Sequence, residues 1–412
     1  MDTGPTARNG CRLAAEALPD GLTHGPSREF LVERGLPEVA ADLDFTALCG
    51  AGPAPFTTHG GQLIGDGRLL VLGTTDYCGS RVVLDGATGA VVLAGWAGAT
   101  SRGPAGAELV HDPLASSLPA LAELLDTCEW VSESALRADA YDGRRGPGAL
   151  AEVIEAAAGR LRAADPELFG AEAAPAHWRT CLLVRSLAWG ARPGPADGPA
   201  YLFDPDLVRD LARLDGEGRV RHYRPEELPD RLTHEPTRRL LTESGLPLGG
   251  ELFSVGDEPL RTMAEAHPDT FAGTGEPGAD HDGSGTATGR SHQRDFLAIG
   301  WWPHDLAVAL DGATGRLELP DWYGEGEPAA YLNRDLSALL YAWWIYERLR
   351  DEWHHWDHGA AADTWRVFDP FALLSSRVDA MVEAVDPEAF RTSAHSWRML
   401  AEDPYTGGLL SH

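Results

Sequence analysis

Apolar positions change period at the same landmarks twice along the chain. In LPDGLTHGPSREFLVERGLP (18–37), Phe30, Leu31 and Leu36 supply the apolar face of a short helix. Thr23 or His24 caps its start, Pro26 sits in its first turn, and Gly35 ends it in the left-handed conformation. The period then becomes that of strands. Leu69-Leu70-Val71-Leu72-Gly73 is followed by RVVLDGATGAVVLAGW (81–96), two β-rich runs joined by DGATG, with Gly86 and Gly89 available for positive φ. Helical spacing returns at Leu118, Leu121, Leu124 and Leu125, behind Ser116 and Ser117 as caps. A coda, GALAEVIEAAAGRLRAADPELF, ends at Phe169, and Trp178 anchors a last short helix.

The same order then recurs. LPDRLTHEPTRRLLTESGLP (228–247) repeats the opening 210 residues on, with His234 for His24 and Gly245 for Gly35. Phe296–Gly300 matches the first strand, and AVALDGATGRLELPDW (307–322) matches the hairpin, with Gly312, Gly315 and Trp322 for Gly86, Gly89 and Trp96. Leu336, Leu339, Leu340 and Trp343 follow Asn333 and Asp335 as caps, and SRVDAMVEAVDPEAF leads to Phe390 and Trp397. Two copies of one α+β unit are therefore predicted, residues 1–189 and 200–412, joined by a Gly/Pro-rich linker at 190–199. The loop at 50–61 of the first copy grows in the second into 272–292, which lacks aliphatic or aromatic anchors and is predicted to be a disordered insertion. In YAWWIYERLRDEWHHWDH the aromatics Trp343, Trp344, Tyr346, Trp353 and Trp356 outnumber one buried face, so some are expected at the surface.

Composition narrows the function. The chain has 412 residues, 43% of them hydrophobic, enough for a core in each copy. Its 34 basic and 63 acidic residues leave a net charge of −29, which argues against nucleic-acid binding and suits either a basic partner or an acidic, solubilising surface. No residue is lysine, so Schiff-base and P-loop lysine chemistry are excluded. Cys11, Cys49, Cys78, Cys128 and Cys181 are odd in number and outside CxxC spacing, which predicts neither a disulfide framework nor a zinc site. No run approaches ~18 apolar residues and the start MDTGPTARNGCR lacks an apolar core, so a cytoplasmic protein without a membrane span is expected.

Candidate chemistry is sparse. Asp280, His281 and Asp282 are of metal-ligand type but lie in the Gly-rich loop, and His354 and His358 are four apart without a third ligand. No metal and no cofactor is expected. His24 and His234 read as helix-entry residues, and Asp85 and Asp311 as acceptors for their turn amides. GxSxG, HExxH, Walker and GxGxxG patterns are missing. The enzymatic alternative that spacing leaves open is a scattered His-Asp-Cys site.

LTHGPSREFLVERGLP, VLDGATGAVVL and DPLASSLPALAELL in copy one, with LTHEPTRRLLTESGLP, VALDGATGRLEL and LNRDLSALL in copy two, carry a resemblance to the SUKH superfamily. More narrowly, the chain is similar to the fourth SUKH subfamily of bacterial immunity proteins. The resemblance covers both copies apart from the long loop and the linker. It implies an antiparallel, twisted sheet packed against helices, and a protein that binds and blocks a cognate toxin, often a nuclease or deaminase. It carries no catalytic residues. SUKH domains also serve in intracellular regulatory scaffolds, and a toxin gene beside this one discriminates the two readings. The copies depart where Trp301-Trp302-Pro303 replaces Thr74-Thr75-Asp76, and where Asn333-Arg334-Asp335 replaces the serine pair. A partner surface is accordingly expected at Thr75, Asp76 and Tyr77 in copy one, and at Trp301, Trp302, Trp322 and Tyr323 in copy two. The expected partner is a toxin protein of basic character, with neither nucleic acid nor membrane involved.

Overall fold

The computed structural model describes residues 10–58, 60–75, 80–96, 109–136, 146–170, 175–190, 205–214, 218–250, 252–256, 258–271, 290–303, 305–320, 330–357, 367–368 and 370–402. The chain forms two compact units: Met1–Asp142 with Ala151–Trp189 and Glu352–Ser376, and Gly143–Leu150 with Gly190–Asp351 and Arg377–His412. This division differs from a single cut at 190–199. Residues 352–376, read as part of copy two, count with the first unit, because Asp112 there accepts hydrogen bonds from the amides of Val367 and Phe368, both at 3.0 Å. Ser80 adds a bond from its hydroxyl to the Val367 carbonyl at 3.2 Å.

The first unit opens with α1 (Gly25–Glu33), then β1 (Val39–Ala40), β2 (Leu43–Asp44), α2 (Thr46–Ala51) and β3 (Ala54–Pro55). The main strands follow: β4 (Leu69–Thr75), β5 (Arg81–Asp85), β6 (Val91–Trp96) and β7 (Leu109–Ala115). Helices α3 (Leu118–Leu136), α4 (Pro147–Ala164) and α5 (Ala176–Gly190) complete the order. The sheet runs β1-β2-β4-β5-β6-β7, antiparallel throughout, with β3 also on β4. Leu70, Leu72, Val82, Leu84 and Leu93 are buried on alternate positions. Phe56, Val83 and Ala94 form a second cluster with Leu69, Val71, Val92 and Leu109, so both sheet faces are covered.

The second unit repeats the plan. It contains α6 (Pro205–Leu214), β8 (Val220–Arg221), α7 (Glu235–Arg239, continued by a π turn Leu240–Ser244), β9 (Leu246–Pro247), α8 (Met263–Ala266) and α9 (Pro268–Phe271). Its sheet is β10 (Leu297–Trp302), β11 (Leu306–Leu310), β12 (Leu317–Glu318) and β13 (Tyr331–Asn333), antiparallel in that order. Then come α10 (Leu336–Asp357), α11 (Pro370–Val385) and α12 (Ser396–Glu402), with the last turn of α10 counted in the first unit. Of the stretch read as an insertion, 272–289 lies outside the described residues. Ser291 and His292 instead begin a 3-10 turn, held where His292 Nε2 and Gln293 Nε2 meet the buried Glu318 carboxylate at 2.7 and 3.0 Å.

One arrangement docks the first helix on the hairpin in both units. The amides of Thr23 and His24 donate to the Gly86 carbonyl at 2.9 and 2.7 Å, and those of Thr233 and His234 to the Gly312 carbonyl at 2.8 and 2.9 Å. His24 and His234 hold the N-cap position, but each imidazole reaches a hydroxyl, Ser27 or Thr237, at 2.8 Å rather than a helix amide. Arg28 and Arg238 return from the helix to the carbonyls of Leu22 and Leu232, both at 2.9 Å. Asp85 Oδ1 accepts from the Ala87 amide at 2.9 Å and Asp311 Oδ1 from the Ala313 amide at 3.0 Å. Of the turn glycines, Gly89 and Gly315 adopt positive φ (+86° and +82°). Gly86 and Gly312 serve close approach instead, since a Cβ there would lie 2.3 Å from the Gly21 carbonyl or 2.4 Å from that of Arg231.

The coda is equally repeated. Asp165 Oδ2 accepts from the Ser116 amide, and Asp386 Oδ2 from the Arg334 amide, both at 2.7 Å, tying the end of one helix to the start of another. The indoles of Trp178 and Trp397 donate to Leu114 O at 2.8 Å and Asn333 Oδ1 at 2.9 Å. The aromatic helix corrects an expectation. From Leu336 to Glu347, α10 is buried on every face, including Trp343, Trp344 and Tyr346. Surplus aromatics are accommodated because α6 lies against it, Asp210 accepting from Trp344 Nε1 at 2.8 Å, while Trp343 Nε1 bonds Glu347 at 3.0 Å. Trp353 and Trp356 are half-buried.

Gly312→Ala is expected to destabilise the second unit by about 1–3 kcal/mol, since the blocking atom is backbone. Gly159→Ala, in an α4 interior position with open space around it, is expected to stabilise by about 0.5–1 kcal/mol. Denaturant unfolding of both variants checks the pair.

Candidate partner-binding site

The two units differ most where chain covers the outer edge of the first long strand. In unit one, β2, α2 and β3 cover β4. Asp44 starts α2 by accepting the Thr46 amide at 2.7 Å, and the Thr46 hydroxyl together with that amide holds its carboxyl below the usual range. In unit two, the described residues of 253–262 meet β10 at two isolated bridges, Ser254 to Trp301 and Thr262 to Leu297. Gly256 and Pro259 interrupt the run between them, and no helix forms among its described residues. A cleft of about 380 Å³ opens there, floored by Ala298–Trp301 and walled by Tyr223, Leu260, Ala266 and His267.

A bulge aims the floor. The pairing of β10 with β11 shifts register between Ala298 and Gly300, and a Cβ on Gly300 would lie 2.4 Å from Ser254 O. Trp301 points outward at 40% exposure, with the His267 ring edge-on at 4.8 Å. Trp302 points inward at 3% and meets Trp397 edge-on at 4.9 Å. Glu258 and Arg261, which line the cleft, and Arg221 beside it have local partners. Arg261 pairs with Glu258, and Arg221 donates to Gly256 O while its guanidinium stands 4.3 Å over the Tyr223 ring. Burial, assisted by Arg261, lowers the His267 pKa, so this imidazole is neutral at pH 7.

The partner residues expected from sequence are dispersed by this geometry. Trp301 is on the surface and on the cleft. Trp302 and Thr75 are buried, each facing inward from its strand, so neither offers a contact surface. Asp76, Tyr77, Trp322 and Tyr323 lie outside the described residues. Tyr223, Glu258, Leu260 and His267 were not anticipated. The local signal for them was the Gly and Pro of 255–261 where copy one has the helix-forming TALCGA.

A family model described as SUKH-4 immunity protein matches residues 4–183 and 207–403, both copies and most of the chain. The chain belongs to the SUKH-4 immunity protein family. No curated protein and no solved structure matches it. The SUKH-4 match spans both units and therefore the opening helix, the DGATG hairpin and the coda in each.

The other candidate chemistry in this SUKH-4 protein lies partly among the described residues and partly outside them. Among the described residues, no group of three or more His, Cys, Asp or Glu side chains is placed to hold a metal. Asp280, His281, Asp282 and His358 lie outside them, and the His354 ring lies tilted beside that of Trp353, centroids 5.2 Å apart. A Cys-His-Asp grouping does form in unit one. The Cys181 thiol is 3.5 Å from His177 Nε2 and from Asp42 Oδ2. All three are buried, and Asp42 pairs with Arg185 at 2.5 Å. Burial raises the thiol well above its usual pKa and lowers His177 to about 4, so at neutral pH a protonated thiol stands beside a neutral, weakly basic imidazole. The grouping is structural: Ala41 and Asp42 form a two-residue turn at positive φ (+51° and +61°), and the Arg185 pair holds it closed.

Because His177 titrates at about 4 folded against 6.5 ordinarily, the unfolded chain takes up its proton first. Stability of unit one is full above pH 6.5 and falls as pH drops towards 4. The loss from this residue is roughly 2 kcal/mol at about pH 5. His177→Phe is expected to flatten that slope, as read by urea unfolding at a series of pH values.

Proposed function

We propose that this SUKH-4 protein neutralises a cognate toxin by binding it, and that the toxin is a basic protein. The family match over both copies carries the reading. The net charge of −29 supports the partner's sign, because a surface of one charge raises the encounter rate with its opposite. A nuclease or a deaminase with a basic substrate groove fits that description. Binding is protein to protein, without nucleic acid, membrane or cofactor, and takes place in the cytoplasm of the producing cell. Among the described residues no helix is long and apolar enough to cross a membrane. The closed Cys181 grouping supports a role without catalysis.

The second unit supplies the contact through its Trp301 cleft. Trp301 is large, rigid and exposed beside a pocket, the profile of residues that dominate binding energy. The experiment is co-expression with secreted-toxin genes neighbouring this one, scored for growth. Rescue by the full chain is expected, reduced at least about tenfold in titre by Trp301→Ala and unaffected by an exposed change in the first unit such as Arg162→Gln. The association rate of the purified pair is expected to fall at least about tenfold between roughly 10 mM and 150 mM salt. Rescue by no neighbouring toxin would overturn the reading.

A further inference from the structure

We infer that the first unit carries a docking surface for a segment of the second copy, and that this segment holds the two copies together without the linker at 190–199. Two anchors make the contact, and both count with the first unit although they belong to copy two in sequence. The first is the end of α10. Glu352 is buried there, and its carboxylate accepts from the Thr180 hydroxyl at 2.8 Å and from Arg179 Nε at 3.0 Å, both on α5. Trp356 Nε1 donates to the same carboxylate at 2.9 Å. The second anchor is Val367 with Phe368. Their amides share Asp112 Oδ2 on β7. Val367 packs on Gly95 of β6, where an added Cβ would lie 3.1 Å from its Cγ1, and the Phe368 ring meets His177 edge-on at 5.9 Å.

Burial makes these contacts exacting. A buried carboxylate stripped of its partners is costly, so Glu352 needs Arg179 and Thr180. Thr180 is fully buried in turn, with Glu352 as acceptor for its hydroxyl. Val367 and Phe368 are buried too, and their amides need the acceptor that Asp112 provides. Polar and apolar groups of copy one are thus both completed by copy two. The exchange also runs the other way, since Gly143–Leu150 of the first copy counts with the second unit, and Ala149 and Leu150 are buried. Neither half of the sequence, cut at the linker, is a whole unit. The copies are one obligate pair rather than two interchangeable modules, whatever the protein binds.

The test uses the full chain with an N-terminal affinity tag and a protease site in the linker, and no toxin. After cleavage on resin, the 200–412 piece is expected to stay bound through a wash at roughly 1 M salt, because salt screens exposed charges and these anchors are buried. Asp112→Ala with Arg179→Ala changes one half-buried and one exposed side chain. The double variant is expected to release the 200–412 piece at least about tenfold faster, and thermal unfolding before cleavage checks that it folds. In the uncut parent chain, the Val367 and Phe368 amides are expected to exchange slowly with deuterium, and at least about tenfold faster in Asp112→Ala alone. Separation of the parent pieces in that wash, retention by the double variant equal to the parent's, or exchange at both amides as fast as in an unfolded chain would each overturn the inference.

Discussion

The carbonyl of a hairpin glycine, Gly86 in one unit and Gly312 in the other, accepts two consecutive amides from the Thr-His entry of the first helix. Both donors are backbone groups at a helix start, which the helix itself cannot satisfy. Using them on the hairpin fixes helix and sheet together without a side-chain network. Everything repeated around that carbonyl follows from it. The glycine carries no Cβ because another carbonyl approaches within 2.4 Å of where it would be. The next glycine yields to the imidazole of the same Thr-His pair, and the arginine four residues on returns to the leucine carbonyl before the threonine. A short helix with little propensity of its own is held this way in each SUKH-4 unit.

Residues whose chemistry has few substitutes made the scaffold legible in sequence. Asp85 and Asp311 before a turn, and Gly89 and Gly315 at positive φ, behave as local rules dictate. Their repetition was readable because each unit needs them. Gly86 and Gly312 were assigned the wrong reason, since the atom that excludes their Cβ is remote in sequence. Periodicity also misjudged α10: counting aromatics per face presumes one covered face, and α6 covers a second.

The candidate site was only partly legible. Two adjacent tryptophans in a strand must point opposite ways, but a bulge at Ile299 decides which one faces out, and a bulge depends on the partner strand. Thr75 could not be told from a surface residue for the same reason. The cleft is a negative feature, the place where the described residues of one unit form no helix and the other unit has one, so it shows only when the two units are compared in space. What the copies share is scaffold. Where they differ, unit one spends its variation on a buried Asp42–Arg185 turn and unit two on an open aromatic cleft.

Deuterium exchange of the full chain, alone and bound to the toxin identified by rescue, measures that division most directly. Slower exchange on binding is predicted at 254–267 and 298–301, with the equivalent stretches of unit one, 44–55 and 71–75, unchanged. Protection confined to those stretches of unit one, with the Trp301 cleft still exchanging freely, would contradict the account.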